Sequence, residues 1–227
     1  TFSKFDDVLY YEKDLVNVGK VGRRWFGEQF NITNEQTFDF TIPNLDNVTP
    51  VSIYVNTASK SFGNSSFVCK VNNQDFGTIN FPALVAFSGV EGYESAINNT
   101  ISLSSNTISL KLTYNNGGVP SSNGYLDFIK ISSKRNLVGY GKQFSFFNND
   151  ELSNVGIGQY TITSATNIPQ VWDVTDLSNV IKYENTSGAT FAFKVNLGNQ
   201  KKYVALDLSD TYTPLKEGNS VVQNQNL

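Results

Sequence analysis

Tyr125-Leu126-Asp127-Phe128-Ile129-Lys130-Ile131 is apolar on both faces of an extended chain, interrupted only by Asp127 and Lys130. A short run of this kind reads as a central strand covered on both sides. It is delivered by Asn115-Asn116-Gly117-Gly118-Val119-Pro120-Ser121-Ser122-Asn123-Gly124, a surface loop by its glycines, proline and small polar residues. Upstream, the same two-residue period recurs. Phe38, Phe40 and Ile42 share one face of Thr37–Ile42, and Val51, Ile53 and Val55 repeat the pattern after Pro50. Phe67–Val71 and Phe76–Phe81 flank Asn72-Asn73-Gln74-Asp75 and read as a β-hairpin. Ile101–Leu103 and Ile108–Tyr114 read as another, turning at Ser104-Ser105-Asn106.

Downstream of Ser132-Ser133-Lys134-Arg135 the spacing changes, and a second set of strands follows. These are Gln143–Phe147, Gln159–Thr163, Gln170–Val174, Val180–Tyr183, Thr190–Val195 and Tyr203–Leu208. Asn136–Gly141 is the expected junction. Only Ser88–Asn98 and Arg24–Phe30 invite a short helix. The expectation is an all-β chain: a jelly-roll-like β-sandwich over residues 1–138, then a second, smaller β-sandwich module over 139–212. The polar stretch 213–227 reads as a linker toward a downstream domain.

Composition narrows the chemistry. The 227 residues hold no histidine and one cysteine, Cys69. Without imidazole there is no Ser-His-Asp or Cys-His arrangement and no histidine-bearing zinc site. Carboxylate chemistry, lysine chemistry, oxygen-ligated calcium and plain binding are left. Cys69 is in phase with Phe67 and Val71 and reads as a small core residue. One cysteine makes no internal disulfide, so stability must come from packing. The net charge of −3 and the lack of basic clustering beyond Lys20, Arg23 and Arg24 speak against nucleic acid. No apolar run approaches a membrane-spanning helix's length. The chain does not begin with Met and has no basic-apolar-small leader, and reads as a mature or excised piece. Sequons at Asn31, Asn47, Asn64, Asn98 and Asn185 are expected by chance in so Asn-rich a chain.

Val21-Gly22-Arg23-Arg24-Trp25-Phe26-Gly27-Glu28-Gln29-Phe30 is the densest group of costly residues. Two readings stand. Trp25 and Phe26 form a stacking platform for a sugar ring, with Arg23 or Glu28 fixing hydroxyls or an anionic group. Alternatively Trp25 anchors the core while Arg24 and Glu28 pair at its edge. Arg23, Arg24, Trp25 and Glu28 are the candidate contact surface. Asp173 and Asp176 offer two carboxylates to calcium, but without the glycine-bearing loop. The competing reading has Asp173 and Thr175 bonding nearby backbone, with Trp172 in the core. A general-acid role for Asp127 needs a second carboxylate within reach. Asn116-Gly117-Gly118 is followed by no Lys-Ser/Thr and is no phosphate loop. No catalytic, cofactor-binding or metal-ligating residue is assigned.

Glu12-Lys13-Asp14-Leu15-Val16-Asn17 leads into Gly22-Arg23-Arg24-Trp25-Phe26-Gly27-Glu28. Gly124-Tyr125-Leu126-Asp127-Phe128-Ile129 and Trp172-Asp173-Val174-Thr175-Asp176 follow at long spacing. This order resembles the region upstream of the peptidase domain in PorU-type sortases of the type IX secretion system. Those are gingipain-like cysteine peptidases (family C25) on the surface of Bacteroidetes bacteria. The resemblance runs over nearly the whole chain, and the Gly-Arg-x-Trp-Phe-Gly-Glu element is its most specific part. It implies a non-catalytic N-terminal region, at the extracellular face of the outer membrane. A downstream peptidase domain in the same chain would carry the Cys-His dyad. Implied partners are that domain, outer-membrane secretion components, cargo sorting domains and lipopolysaccharide. No cofactor is implied, and no catalytic residue carries over to this sequence. The competing function is a carbohydrate- or lipopolysaccharide-binding β-sandwich; an enzyme built on paired carboxylates stands last.

Overall fold

The computed structural model describes residues 1–18, 24–210, 212–216 and 218. Arg23 and the stretch 219–227 of the expected linker lie outside the described residues. The chain divides into two compact units, one of Lys4–Asn136 and one of Thr1–Ser3 with the described residues from Leu137.

The first unit contains β1 (Lys4–Glu12), β2 (Gln29–Phe30), β3 (Glu35–Thr41), β4 (Val51–Lys60) and β5 (Ser65–Val71). It continues with β6 (Gln74–Phe81), β7 (Tyr93–Ile101), β8 (Thr107–Asn115) and β9 (Asn123–Asn136). One antiparallel sheet runs β1-β9-β4-β7 and the other β3-β8-β5-β6, with β2 added to β9. With the two-residue β2 set aside, this interleaved order is the two-sheet, eight-strand jelly roll. The alternation creates the core. Val51, Ile53 and Val55 of β4 meet Phe67, Cys69 and Val71 of β5, with Leu110 and Leu112 of β8 alongside. Cys69 is fully buried there, and burial pushes its thiol up to about 12.

The β5–β6 hairpin forms as expected, its turn set by Asn72 and Asn73 at φ 49° and 65°. Asparagine tolerates that left-handed backbone, which suits a two-residue hairpin turn. The second expected hairpin is not one. β7 pairs with β4, whereas β8 pairs with β3 and β5, so Ile101–Thr107 carries the chain from one sheet to the other. Alternation tells which residues face the core but not which strand lies alongside. The helix expected over Ser88–Asn98 is largely strand β7, and Arg24–Phe30 is irregular chain ending in β2.

The second unit holds β10 (Gln143–Phe147), the one-turn helix α1 (Asp150–Ser153), β11 (Ile157–Ile162) and β12 (Gln170–Asp173). It ends with β13 (Ile181–Glu184), β14 (Phe191–Asn196) and β15 (Lys202–Leu206). One antiparallel set runs β10-β15-β12-β13, and β11 pairs with β14. Their inner faces meet in an aromatic core. Tyr160 lies 5.2 Å from Tyr203 and 5.3 Å from Phe193, and Phe146 lies 5.1 Å from Tyr203, between ring centroids. Such tilted and offset pairs add to the area that they bury.

Candidate functional site

Near its start, strand β9 departs from the alternating burial that it keeps further along. In the β4–β9 ladder Asn56 faces Phe128 and Thr57 faces Leu126, which leaves Asp127 as the extra residue of a β-bulge. Leu126 and Ile129, three apart, therefore both reach the core. Between them Asp127 accepts hydrogen bonds from Arg24 Nη2 at 2.7 Å and Asn56 Nδ2 at 3.0 Å. Phe128 stacks on Tyr54 at 5.5 Å. Gly124, three residues before Asp127, admits no side chain, because a Cβ would sit 2.6 Å from ring atoms of Phe67 and Tyr114. Behind it, the buried hydroxyl of Tyr114 bonds Ser59 at 2.7 Å and Ser122 at 2.5 Å.

The Arg24–Phe30 segment packs beside this strand. Val16 and Phe26 exchange backbone hydrogen bonds of 2.9 and 2.8 Å, and Gly27 N–H donates to Leu126 O at 2.7 Å. Phe26 is thereby buried against Tyr125 and Ala58. Arg24 lies 5.4 Å from the Phe26 ring and grips Glu94 with two bonds, Nε at 3.0 Å and Nη2 at 2.7 Å. The fork-shaped guanidinium suits such bidentate holding. Burial lifts the Asp127 carboxyl above its ordinary value; Arg24 opposes this, and Glu94 and Glu12 add to it. Both carboxylates engage one cation, an ion-pair arrangement rather than a separated acid and base.

Of the predicted contact residues, Arg24, Trp25 and Glu28 take three different environments. Glu28 does not pair with Arg24. Its Oε1 accepts from the Tyr11 hydroxyl and from Lys13 Nζ, the latter at 3.0 Å. Burial raises its carboxyl, but those two hydrogen bonds, a backbone hydrogen bond and the Lys13 charge together hold it below the usual range. Its other oxygen is buried with no hydrogen-bond partner among the described residues. Trp25 is 44% exposed, so Phe26 and not Trp25 is the core anchor. Arg23 lies outside the described residues.

A cavity of about 310 Å³ opens beside Arg24. Val18, Phe26, Ala58 and Tyr125 supply its apolar lining, and Arg24, Glu91 and Glu94 its charged lining. The helical expectation over Ser88–Asn98 hides Glu94, which lies in strand β7. The alternation of Tyr93, Ser95 and Ile97 against Glu94 and Ala96 was the available signal.

In the second unit Asp173 Oδ1 accepts from Thr175 N at 3.1 Å and Thr175 Oγ1 at 2.6 Å, closing the turn after β12. Asp176 likewise accepts from Ser178 N at 2.9 Å. Trp172 is not in the core as expected. It is 37% exposed and its indole donates to Gln170 Oε1 at 3.1 Å. In β12 the inward positions fall to Val171 and Asp173.

No family model matches the sequence, and no curated protein matches it. Among solved structures, the chain is similar to dimeric latent PorU from Porphyromonas gingivalis at 17% identity and a TM-score of 0.76. That match covers 94% of this chain and 21% of the other, so the chain spans about a fifth of that protein's length. The carbohydrate-binding module CBM36, in complex with calcium and xylotriose, matches 55% of this chain and 98% of its own at 16% identity and a TM-score of 0.36. A family 35 carbohydrate-binding module from Clostridium thermocellum matches 57% of this chain and 98% of its own, at 12% identity and a TM-score of 0.34.

Proposed function

We propose that this chain is the non-catalytic N-terminal β region of a cell-surface, sortase-like cysteine peptidase of the type IX secretion system. The observation that carries the reading is the fold likeness to PorU, which takes in 94% of the chain. The order of the Gly-Arg-Arg-Trp-Phe-Gly-Glu element and the two later strand motifs supports it independently. In this reading two modules, joined near Asn136, position a peptidase domain of the same polypeptide. Their exposed side chains and strand edges contact outer-membrane secretion components or cargo sorting domains. Affinity capture from outer-membrane extracts, with and without the peptidase domain and with proteins identified by mass spectrometry, tests it. Recovery of secretion-system components supports the reading; their absence in both arms sinks it.

The second reading is a carbohydrate- or lipopolysaccharide-binding β-sandwich. It is favoured by the exposure of Trp25 and by the mixed aromatic and polar lining beside Arg24. Calorimetry against polysaccharide and lipopolysaccharide fractions tests it, and a flat titration with every fraction removes it.

A further inference from the structure

We infer that the cavity bordered by Arg24, Phe26 and Tyr125 is a binding site for one neutral pyranose ring, free or at a glycan end. The inference rests on the carbohydrate reading and gives it a location different from the Trp25 surface.

Tyr125 carries the argument. The residue is only 5% exposed and lines the cavity, yet its hydroxyl bonds no other described residue. The nearby Tyr114 hydroxyl, by contrast, is satisfied by two serines. A phenol withdrawn from bulk water needs a partner, and here the cavity is where a partner can come from. Arg24 adds a donor, because Nη1 bonds no described residue while Nε and Nη2 are committed.

The apolar lining fits the carbon face of a sugar. Phe26, Ala58 and Tyr125 form their own hydrophobic group, with Val16 and Val18 packed against it. Charge selects the class of ring. Among the described residues around the cavity, Arg24 is matched by Glu94 and Asp127, and Lys60 pairs with Glu91. Both described cations are thus already neutralised by carboxylates, and neither is left free to hold an anionic sugar. Hydroxyls, which both donate and accept, can bond carboxylates, Arg24 and Tyr125 alike. At about 310 Å³ the space lies at the lower end of small-molecule sites and has room for one ring.

The test is calorimetry or saturation-transfer NMR on the full chain with neutral methyl pyranosides, the matching uronic acids, and disaccharides ending in the same rings. The expected result is millimolar binding of a neutral ring, with the uronic acid at least about tenfold weaker. A disaccharide ending in that ring is expected to bind within about twofold of it. Tyr125→Phe keeps the ring and removes the hydroxyl, and should weaken binding about fivefold with an unchanged circular dichroism spectrum. Trp25→Ala should leave affinity within about twofold, since Trp25 is outside the cavity lining. Loss of binding in Trp25→Ala with full affinity in Tyr125→Phe overturns this site and keeps the carbohydrate reading. No binding of any pyranoside, with glycan fractions still binding, also overturns the site. No binding of either overturns both.

Discussion

Asp127 in the jelly roll and Glu151 in the second unit are both buried carboxylates, and burial raises the pKa of each. Their partners differ. Asp127 meets a guanidinium and an amide, and its cation is shared with Glu94 at the border of a cavity. Glu151 accepts from the Tyr203 hydroxyl at 2.7 Å and from Lys201 N–H at 2.9 Å. Its own carbonyl accepts from Gly198 N–H at 2.9 Å. Glu151 therefore fastens the α1 turn to the β14–β15 connection, with both carboxylate oxygens and its main-chain carbonyl bonded inside the unit. The Asp127 network ends on Arg24, whose side chain is half exposed. One buried charge closes a structure, and the other supports a surface.

That contrast sets an order of effects. The largest belongs to Glu151→Ala, which strands the Tyr203 hydroxyl and the Lys201 amide. We expect a loss of about 3 kcal/mol in urea unfolding. Glu151→Gln keeps an acceptor and should lose far less. In the wild type burial disfavours the ionised form of Glu151 in the folded state, so the carboxyl's contribution is fully present below the ordinary glutamate value. It is lost as pH rises through the raised one. Relative to wild type, Glu151→Gln should therefore gain stability as pH rises through that window; equal cost at every pH would break the assignment.

Arg24→Ala should cost less, about 1–2 kcal/mol, because half of the side chain is in water. If the cost comes from stranding Asp127, adding Asp127→Asn should recover most of it in a double-mutant cycle. Additive losses would mean that the pair is not coupled. Glu28 titrates in the opposite sense to Glu151. Hydrogen bonds from Tyr11 and Lys13 hold its carboxyl low, so its contribution is present above the ordinary glutamate value and lost as pH falls through the lowered one. Glu28→Gln should flatten that part of the acid-unfolding curve; an unchanged acid limb contradicts the assignment. Trp25→Ala is the smallest, within about 0.5 kcal/mol, as befits an exposed residue. A loss above 2 kcal/mol would return Trp25 to a structural role.

The strands were legible because two-residue alternation records burial, and the inward residues of β4, β5 and β8 follow it closely. Sheet membership was not, since the crossing at Ile101–Thr107 and a hairpin have the same local pattern. Trp25 and Phe26 show a second limit. Adjacent aromatics face opposite ways, and which one turns inward depends on the Val16–Phe26 bridge, a contact set by tertiary structure. The bulge at Asp127 hid in plain view: Leu126 and Ile129 are out of phase for a regular strand. The Arg24 partners were unreadable because Glu94 and Asp127 lie 70 and 103 residues away along the chain.

Under the proposed function these residues supply contact surfaces to a chemistry carried elsewhere in the same polypeptide. Sequencing the reading frame past Leu227 in the source genome tests it most directly. A gingipain-like domain with a Cys-His dyad is expected there. A stop codon there, or a domain without that dyad, would contradict it.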